Sequence, residues 1–435
     1  MPLPGWAVNN PALEAKVDAF LKPALDYDLI SGTVLIAKNG NILLAKGYGP
    51  ANREYDFPNT PETKFRLGSM TKQFTAAAIM LLEERGLLKV EDTLTKYYPD
   101  YPDGGKITLH HFLTHTSGIP NYNSLPDYDE KLVQPYGIDQ VIDWFKSQTL
   151  QFEPGSQYAY SNSGYVLLAG IIEKVSGMSY AEFLRQNIFE PLGMAHSGQD
   201  VFTTVLKNRA TGHGGDGRTV YQAPYRDMPF TSGAGSLYST VNDLFLWDRA
   251  LYTDRLLSQA SRDKMFTPYK GNYGYGWFIE QRDGRNVISH GGAINGFLAN
   301  IDRFVDDTVV IITLLNYEST FSRAVNTGLA AIALGKGYKP LLVAETATVP
   351  PEVLNAYAGT YRFDFGAEIT VSRDDRQLMI ADNEGGGVTA AAQSDVLFFL
   401  RVRNALIKFL KGDDGTVNGV YWQQGAQGFR GKKIS

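Results

Sequence analysis

Residues 65–74 read FRLGSMTKQF and open an apolar run, TAAAIMLL, at residues 75–82. The composition of this run predicts one buried helix, with Ser69 and Lys72 three residues apart near its beginning. Residues three apart share a helix face, with Cβ atoms about 5–6 Å apart. This spacing therefore lets the hydroxyl of Ser69 and the amine of Lys72 share a proton.

The Ser-x-x-Lys spacing is a signature of serine enzymes that transfer acyl groups. A serine hydroxyl is a weak nucleophile until a base takes its proton, and a lysine is a base only when it is neutral. Apolar neighbours of Lys72 indicate the burial that would lower its pKa. A helix-capping serine followed by a solvated lysine has the same spacing, so the motif is not specific on its own.

Length and composition narrow the class of protein. A chain of 435 residues exceeds one hydrophobic core and predicts two domains. Its formal net charge of −5 argues against nucleic acid or an anionic membrane as a partner. With no cysteine, disulfides, thiolate metal sites and a cysteine nucleophile are excluded. Neither composition nor pattern predicts an oligomeric state.

The sequence carries no visible targeting segment. Residues 1–6, MPLPGW, lack the basic end and apolar core of a secretory signal. No apolar run approaches the length of about 18–20 residues that a membrane-spanning helix needs. We therefore expect no membrane insertion, and a cytoplasmic location unless a signal peptide has been removed.

Two histidines in the sequence have a spacing that could suit a metal site. His111 and His115 lie four residues apart on a predicted short helix and share a face. The stretch lacks the glutamate of a zincin motif, and no third ligand is evident. We expect a structural role for both histidines and neither a metal nor an organic cofactor.

The order of predicted elements describes two units. A hairpin at residues 32–46 turns at Asn39-Gly40, and four strands follow at residues 273–279, 287–290, 297–304 and 309–315. A helix at residues 321–334 closes this part, and residues 336–351 are predicted to form a linker. From residue 352 onward, about eight short alternating segments predict a small closed antiparallel barrel.

Three motifs now stand in order: Ser69-x-x-Lys72, Tyr160-Ser161-Asn162 and His290-Gly291-Gly292. Over residues 29–334 the chain resembles the serine β-lactamase and DD-peptidase superfamily. It is most similar to the class C-like members, which include family VIII carboxylesterases, penicillin-binding proteins and D-amino-acid-specific peptidases. The C-terminal segment resembles the lipocalin-like barrels appended to some of these peptidases.

The resemblance implies an α/β fold, with an antiparallel sheet flanked by helices and a mainly helical lobe inserted at about residues 75–270. This hydrolase domain would span residues 1–335, the linker residues 336–351 and the barrel domain residues 352–435. The active site would lie between the sheet and the helical lobe.

The resemblance also implies roles for individual residues. Ser69 would be the acylated nucleophile, Lys72 its proton partner, and Tyr160 a general base that later protonates the leaving group. The backbone N–H groups of Ser69 and Ala293 would form the oxyanion hole. The implied substrate-binding residues are Asn162, which would contact the acyl-side amide or hold Lys72, together with His290, Gly291 and Gly292.

The third motif departs from the β-lactamase pattern, in which Lys-Thr-Gly is usual. His290 would stand in the place of that cation, but a histidine with a pKa near 6.5 is only about one-quarter charged at pH 7. Weak or no β-lactamase activity is therefore expected, and a carboxylesterase for small esters is the leading interpretation. The alternatives are a penicillin-binding DD-peptidase or D-aminopeptidase acting on short D-amino-acid peptides, and a catalytically silent binding protein of the same fold.

Overall fold

The computed structural model of the chain describes residues 10–215, 219–338, 341, 347–374, 377–382, 387–400, 403–424 and 427–435. The α-helices are α1 (Pro11–Asp26), α2 (Thr71–Glu84), α3 (Leu109–Leu113), α4 (Tyr128–Lys131), α5 (Ile138–Phe145), α6 (Asn162–Ser176), α7 (Tyr180–Leu184), α8 (Glu190–Leu192), α9 (Val241–Ala250), α10 (Gln259–Phe266), α11 (Ser322–Ala333) and α12 (Pro351–Tyr357).

The strands fall into one large sheet, three small ribbons and a barrel. They are β1 (Gly32–Lys38), β2 (Asn41–Tyr48), β3 (Pro50–Asn52), β4 (Phe57–Pro58), β5 (Phe65–Arg66), β6 (Gly198–Gln199), β7 (His213–Gly215), β8 (Val220–Gln222), β9 (Leu237–Ser239), β10 (Phe278–Arg282), β11 (Arg285–Ile294), β12 (Phe297–Phe304), β13 (Val309–Leu315), β14 (Gly359–Phe363), β15 (Glu368–Asp374), β16 (Gln377–Asp382), β17 (Gly387–Ala392), β18 (Leu397–Leu400), β19 (Ala405–Lys411), β20 (Val417–Gln424) and β21 (Gln427–Lys433).

The large sheet joins the two ends of the first unit in the order β10-β11-β12-β13-β1-β2, with every neighbouring pair antiparallel. The β1–β2 hairpin turns at Asn39 and Gly40, whose φ angles of 51° and 75° are left-handed, as a tight primed turn requires. The strand predicted at residues 273–279 lies further along the chain, as β10. Strand β11 extends beyond the predicted residues 287–290 and includes Gly291 and Gly292.

Helices cover both faces of this sheet. Ile301 and Ile312 point to one face and join the core that contains α2, whose residues Thr71 to Leu82 are all buried. A helix that is apolar all round is expected at the centre of a core, with helices on its outer side. On the other face, Val34 and Ile311 pack with α1 and α11. The expected antiparallel sheet with flanking helices and an inserted helical lobe is confirmed.

The C-terminal strands β14 to β21 close into an eight-stranded antiparallel barrel, with β14 paired to β21. Its interior is filled by side chains, including Tyr357 stacked on Phe409 with ring centroids 3.9 Å apart. The predicted barrel is therefore confirmed, but its first segment is different: Tyr357 ends the helix α12, which the sequence did not predict. Prolines at the start of α12 preset its first turn, yet the helix is too short to show a clear period.

An aromatic contact links the barrel to a helix of the first unit. Phe399 of β18 meets Phe321, which caps α11, with ring centroids 6.4 Å apart and a T-shaped geometry. The domain boundaries remain predictions, and residues 339–340 and 342–346 of the predicted linker lie outside the described residues, as does the residue 1–6 stretch. Among the described residues, none of the helices has the length and apolar character needed to cross a bilayer.

Candidate active site

Ser69 lies in a single 3₁₀ turn, Gly68–Met70, which leads directly into α2. Two glycines allow β11 to approach this turn closely. A Cβ on Gly68 would lie 2.8 Å from the backbone nitrogen of Ala293, and a Cβ on Gly292 would lie 1.9 Å from the carbonyl oxygen of Leu67. This contact brings the backbones of Ser69 and Ala293 together, where the sequence predicted an oxyanion hole.

Lys72 is fully buried and makes three polar contacts. Its Nζ is 2.7 Å from Oδ1 of Asn162, 2.9 Å from the carbonyl oxygen of Ala234 and 3.3 Å from Oγ of Ser69. The first two partners only accept hydrogen bonds, whereas a hydroxyl also donates. A neutral amine has two N–H donors and one lone pair, so it satisfies all three contacts while accepting the proton of Ser69.

The electrostatics of the site also favour a neutral amine on Lys72. Burial places the pKa of Lys72 well below its usual range, because an ammonium group loses its hydration there. The same cause raises the pKa of Tyr160, against a smaller lowering by its hydrogen bond with Ser69. The lowered pKa favours the neutral amine of Lys72, and the raised pKa favours the protonated phenol of Tyr160. The amine, and not a tyrosinate, is therefore the base available to Ser69.

His115 supports the segment that carries Tyr160. Its carbonyl oxygen accepts from the N–H of Ala159 at 2.9 Å, and its Nδ1 accepts from the N–H of Ser161 at 3.2 Å. The imidazole packs on the ring of Tyr160, with centroids 4.2 Å apart. His111 instead caps its own helix, with Nδ1 accepting from the N–H of Thr108. The two histidines do not share a ligand, and no set of three potential metal ligands occurs within the part of the chain that the structure describes.

His290 lines the cleft, but it is not a cation. Its Nε2 accepts from the hydroxyl of Tyr273 at 2.9 Å, and its Nδ1–H donates to the carbonyl oxygen of Gly291 at 2.5 Å. Burial, which removes the water that would hydrate a charged ring, lowers the pKa of His290 to about 3. Because a charged ring loses its hydration there, burial favours the neutral form of His290, which argues against a cation at this place; its role in substrate binding stays a prediction.

A cavity of about 650 Å³ opens on the side of Ser69 where Tyr160 stands. It runs past Gly291 and Ala293 at the sheet edge to the exposed side of α11. Its charged and amide side chains are Glu280, Arg282, Asn300, Asp302, Arg323 and Asn326. None of the barrel residues that the structure describes lines this cavity. The barrel residue Phe399 contacts Phe321, next to the helix α11 that forms part of the cavity wall.

Three residues of the site escaped the sequence analysis. Ala234 supplies a carbonyl to Lys72 from the short stretch Gly233-Ala234-Gly235. Asn123 accepts from Nδ2 of Asn162 at 2.7 Å, and Arg226 lines the far side of the site. Asn123 and Arg226 stand in no motif, so no local signal marks them.

The site pairs a buried neutral lysine with a half-buried serine. This pair lies at the start of a buried helix and against the edge of an antiparallel sheet. That arrangement defines the class of serine hydrolases with a β-lactamase fold. The chain belongs to the beta-lactamase family, whose model matches residues 13–335. Residues 344–433 match a second family, described as a domain of unknown function (DUF3471).

Individual relatives share this architecture. The chain is 30% identical over 429 residues to penicillin-binding protein 4* of Bacillus subtilis, covering 91% of this chain and 94% of that protein. It is 28% identical over 341 residues to a D-aminopeptidase of Gluconobacter oxydans, covering 76% of this chain and 62% of that one. Among solved structures, an octameric penicillin-binding protein homologue from Pyrococcus abyssi superposes with a TM-score of 0.66 at 25% identity, covering 97% of this chain and 99% of that chain.

Proposed function

We propose that this protein hydrolyses small amides and esters through an acyl-enzyme on Ser69. The observation that carries the proposal is the contact set of Lys72, in which two acceptors occupy its N–H groups and the hydroxyl of Ser69 faces its lone pair. A neutral lysine in hydrogen-bond reach of a serine is an activated nucleophile pair.

Acylation follows from this geometry. Oγ of Ser69 attacks the substrate carbonyl carbon while its proton passes to Nζ of Lys72, and the carbonyl oxygen takes up the negative charge. The backbone N–H groups of Ser69 and Ala293 hold this oxyanion. Removing one such donor typically costs about 10²–10³ in turnover.

The leaving group departs on the side of Tyr160. As the bond to the leaving group breaks, the hydroxyl of Tyr160 donates its proton to the departing atom, and the Lys72 ammonium restores that proton. Water then attacks the acyl-enzyme, giving its proton to the same pair, and Oγ of Ser69 leaves with a proton returned to it. This assignment keeps the predicted roles of Ser69 and Lys72 but makes neutral Tyr160 an acid before it acts as a base.

The cavity beside Tyr160 supports a polar leaving group, such as an amino acid, more than an apolar alcohol. Its wall carries Arg282 paired with Asp302 at 2.9 Å, and the exposed Arg323 on α11. Relatives named penicillin-binding protein and D-aminopeptidase support peptide or amide substrates as well. A carboxylesterase preference, the leading interpretation of the sequence, stays a prediction, and neutral His290 offers no charge to the carboxylate of a β-lactam.

The test compares an amide with an activated ester. N-acetyl-D-alanyl-D-alanine needs a protonated leaving amine, whereas p-nitrophenyl butyrate releases a phenolate that needs none. Ser69→Ala should abolish both activities with the fold intact, and Tyr160→Phe should lower amide cleavage by about 10²–10⁴ while lowering ester cleavage much less. Tyr158→Phe, a half-buried neighbour in the same segment, serves as the matched control.

Each outcome has a meaning. Activity in Ser69→Ala would remove Ser69 from the mechanism, and equal losses of amide and ester cleavage in Tyr160→Phe would refute its role as the acid. Benzylpenicillin incubated with the wild type, followed by intact mass, reports whether β-lactams acylate Ser69. A folded wild type that is inert toward all three compounds would favour the silent binding protein.

A further inference from the structure

A second cavity, of about 50 Å³, also borders Ser69, and its lining has Ser69 and Ala293 in common with that of the large one. Its wall includes Asn123, Asn162, Arg226 and Ile294. Tyr160 lines the large cavity and not this one. The volume suits a small group such as a carboxylate.

A chain of hydrogen bonds holds this wall in place. Asn162, which accepts from Lys72, donates through Nδ2 to Oδ1 of Asn123 at 2.7 Å. Asn123 in turn donates to the hydroxyl of Tyr128 at 2.7 Å, and Nη1 of Arg226 donates to the same oxygen at 2.7 Å. The guanidinium is thereby fixed at the end of a chain that begins at Lys72.

Arg226 has no counter-charge in the described part of the chain. None of the ion pairs of the described residues includes it, and its Nε is buried without a hydrogen-bond partner. The guanidinium carbon lies 5.5 Å from the centroid of the Tyr128 ring, so Tyr128 holds Arg226 both by this cation–π contact and by the hydrogen bond from Nη1. A half-buried guanidinium with a free N–H is built to receive an anion.

The reaction geometry decides which part of the substrate meets Arg226. When the oxyanion lies between the N–H groups of Ser69 and Ala293 and the leaving group lies beside Tyr160, the acyl substituent must extend the other way. The small cavity, with Asn162 and Arg226, is therefore the acyl side of the cleft.

We propose that Arg226 is a specificity-determining residue that selects acyl groups carrying a carboxylate and disfavours acyl groups carrying an ammonium. The proposal rests on the proposed function, because it needs an acyl group on Ser69. A short dicarboxylic acyl group such as succinyl places its anion at the end of the small cavity. An acyl group with a free ammonium, such as the N-terminal residue of a peptide, meets like charge there.

Three esters of the same length and leaving group test this charge preference. Monoethyl succinate, ethyl butyrate and ethyl β-alaninate carry −1, 0 and +1 on the acyl chain at pH 7.5, and ethanol release measures all three. We expect the wild-type kcat/KM to fall by about tenfold at each step, since a charge-assisted hydrogen bond typically contributes a factor of this size. Arg226→Gln should bring the succinate-to-butyrate ratio close to one, and Arg226→Lys should restore part of it.

Arg323→Gln is the matched control, because it removes the same charge from the large cavity on the leaving-group side. It should keep the wild-type ratio, whereas a ratio that falls equally in both variants would mean a general field effect and overturn the proposal. A wild type that cleaves succinate no faster than butyrate would overturn it while leaving the proposed function standing. Failure to cleave any of the three would contradict the proposed function and this proposal with it. A folding defect lowers all rates in parallel and leaves the ratio unchanged.

Discussion

Gly292→Ala should damage catalysis without changing any reactive group. Its new Cβ would lie 1.9 Å from the carbonyl oxygen of Leu67, while real Cβ atoms essentially never come within 3.0 Å of such an atom. Strand β11 and the turn that carries Ser69 must then separate by about 1 Å. A misplacement of that size costs about 10²-fold in rate, so kcat/KM should fall by roughly this factor.

Gly291→Ala supplies the control at the next position of the same strand. Its Cβ would have no neighbour closer than the carbonyl oxygen of Ala299, at 3.6 Å, which is ordinary van der Waals contact. Both variants add one methyl group to β11, so only the direction of that methyl differs. Because Gly291→Ala leaves the contact between β11 and the Ser69 turn intact, we expect it to lose much less kcat/KM than Gly292→Ala, although Gly291 lines the cavity.

The assay is kcat/KM for p-nitrophenyl butyrate, with thermal unfolding measured on the same samples. Overpacking typically costs about 1–3 kcal/mol, so Gly292→Ala should unfold at a lower temperature yet remain folded at 25 °C. A folded Gly292→Ala variant with the wild-type rate would refute the joint formation of the oxyanion hole by β11 and the turn. Equal losses in both variants would mean that strand flexibility, not the contact with Leu67, is responsible.

Two further predictions concern Lys72 and the barrel. Burial lowers the pKa of Lys72 in the folded chain, while in the unfolded chain it is about 10.4. At a pH between these two values the unfolded chain binds a proton that the folded chain does not. The free energy of unfolding of the wild type should therefore rise with pH across that window. Lys72→Met should be inactive and lack this rise. Denaturant unfolding at pH 7 and pH 10 measures the change in stability, and parallel changes in the wild type and Lys72→Met would contradict a neutral buried lysine. Phe399→Ala should loosen α11 through Phe321 and raise KM for N-acetyl-D-alanyl-D-alanine, with little change in KM for p-nitrophenyl butyrate. The control, Phe398→Ala, should lower barrel stability only. An unchanged KM in Phe399→Ala would show that the barrel does not support the cavity wall.

Much of the fold could be predicted because its signals are local. The eight barrel strands follow from alternation and turn residues, and α2 follows from an unbroken apolar run next to Ser69. The helix α12 was missed, since seven residues beginning at a proline carry too little periodicity to mark a helix. Strand β10 was placed too early, because the aromatic stretch before it is buried without being a strand.

The candidate site likewise has one part that the sequence predicts and another part that it does not. The spacing of Ser69 and Lys72 is a property of one helix, and so the sequence by itself determined that a serine and a lysine would share a face. The protonation state of Lys72 depends on Asn162 and Ala234, which lie 90 and 162 residues further along the chain. The neutral ring of His290, and a guanidinium of Arg226 without an ion pair among the described residues, likewise arise from burial and from neighbours on other elements. Only the tertiary structure decided these charges, because hydration and Coulomb interactions depend on distance in space and not along the chain.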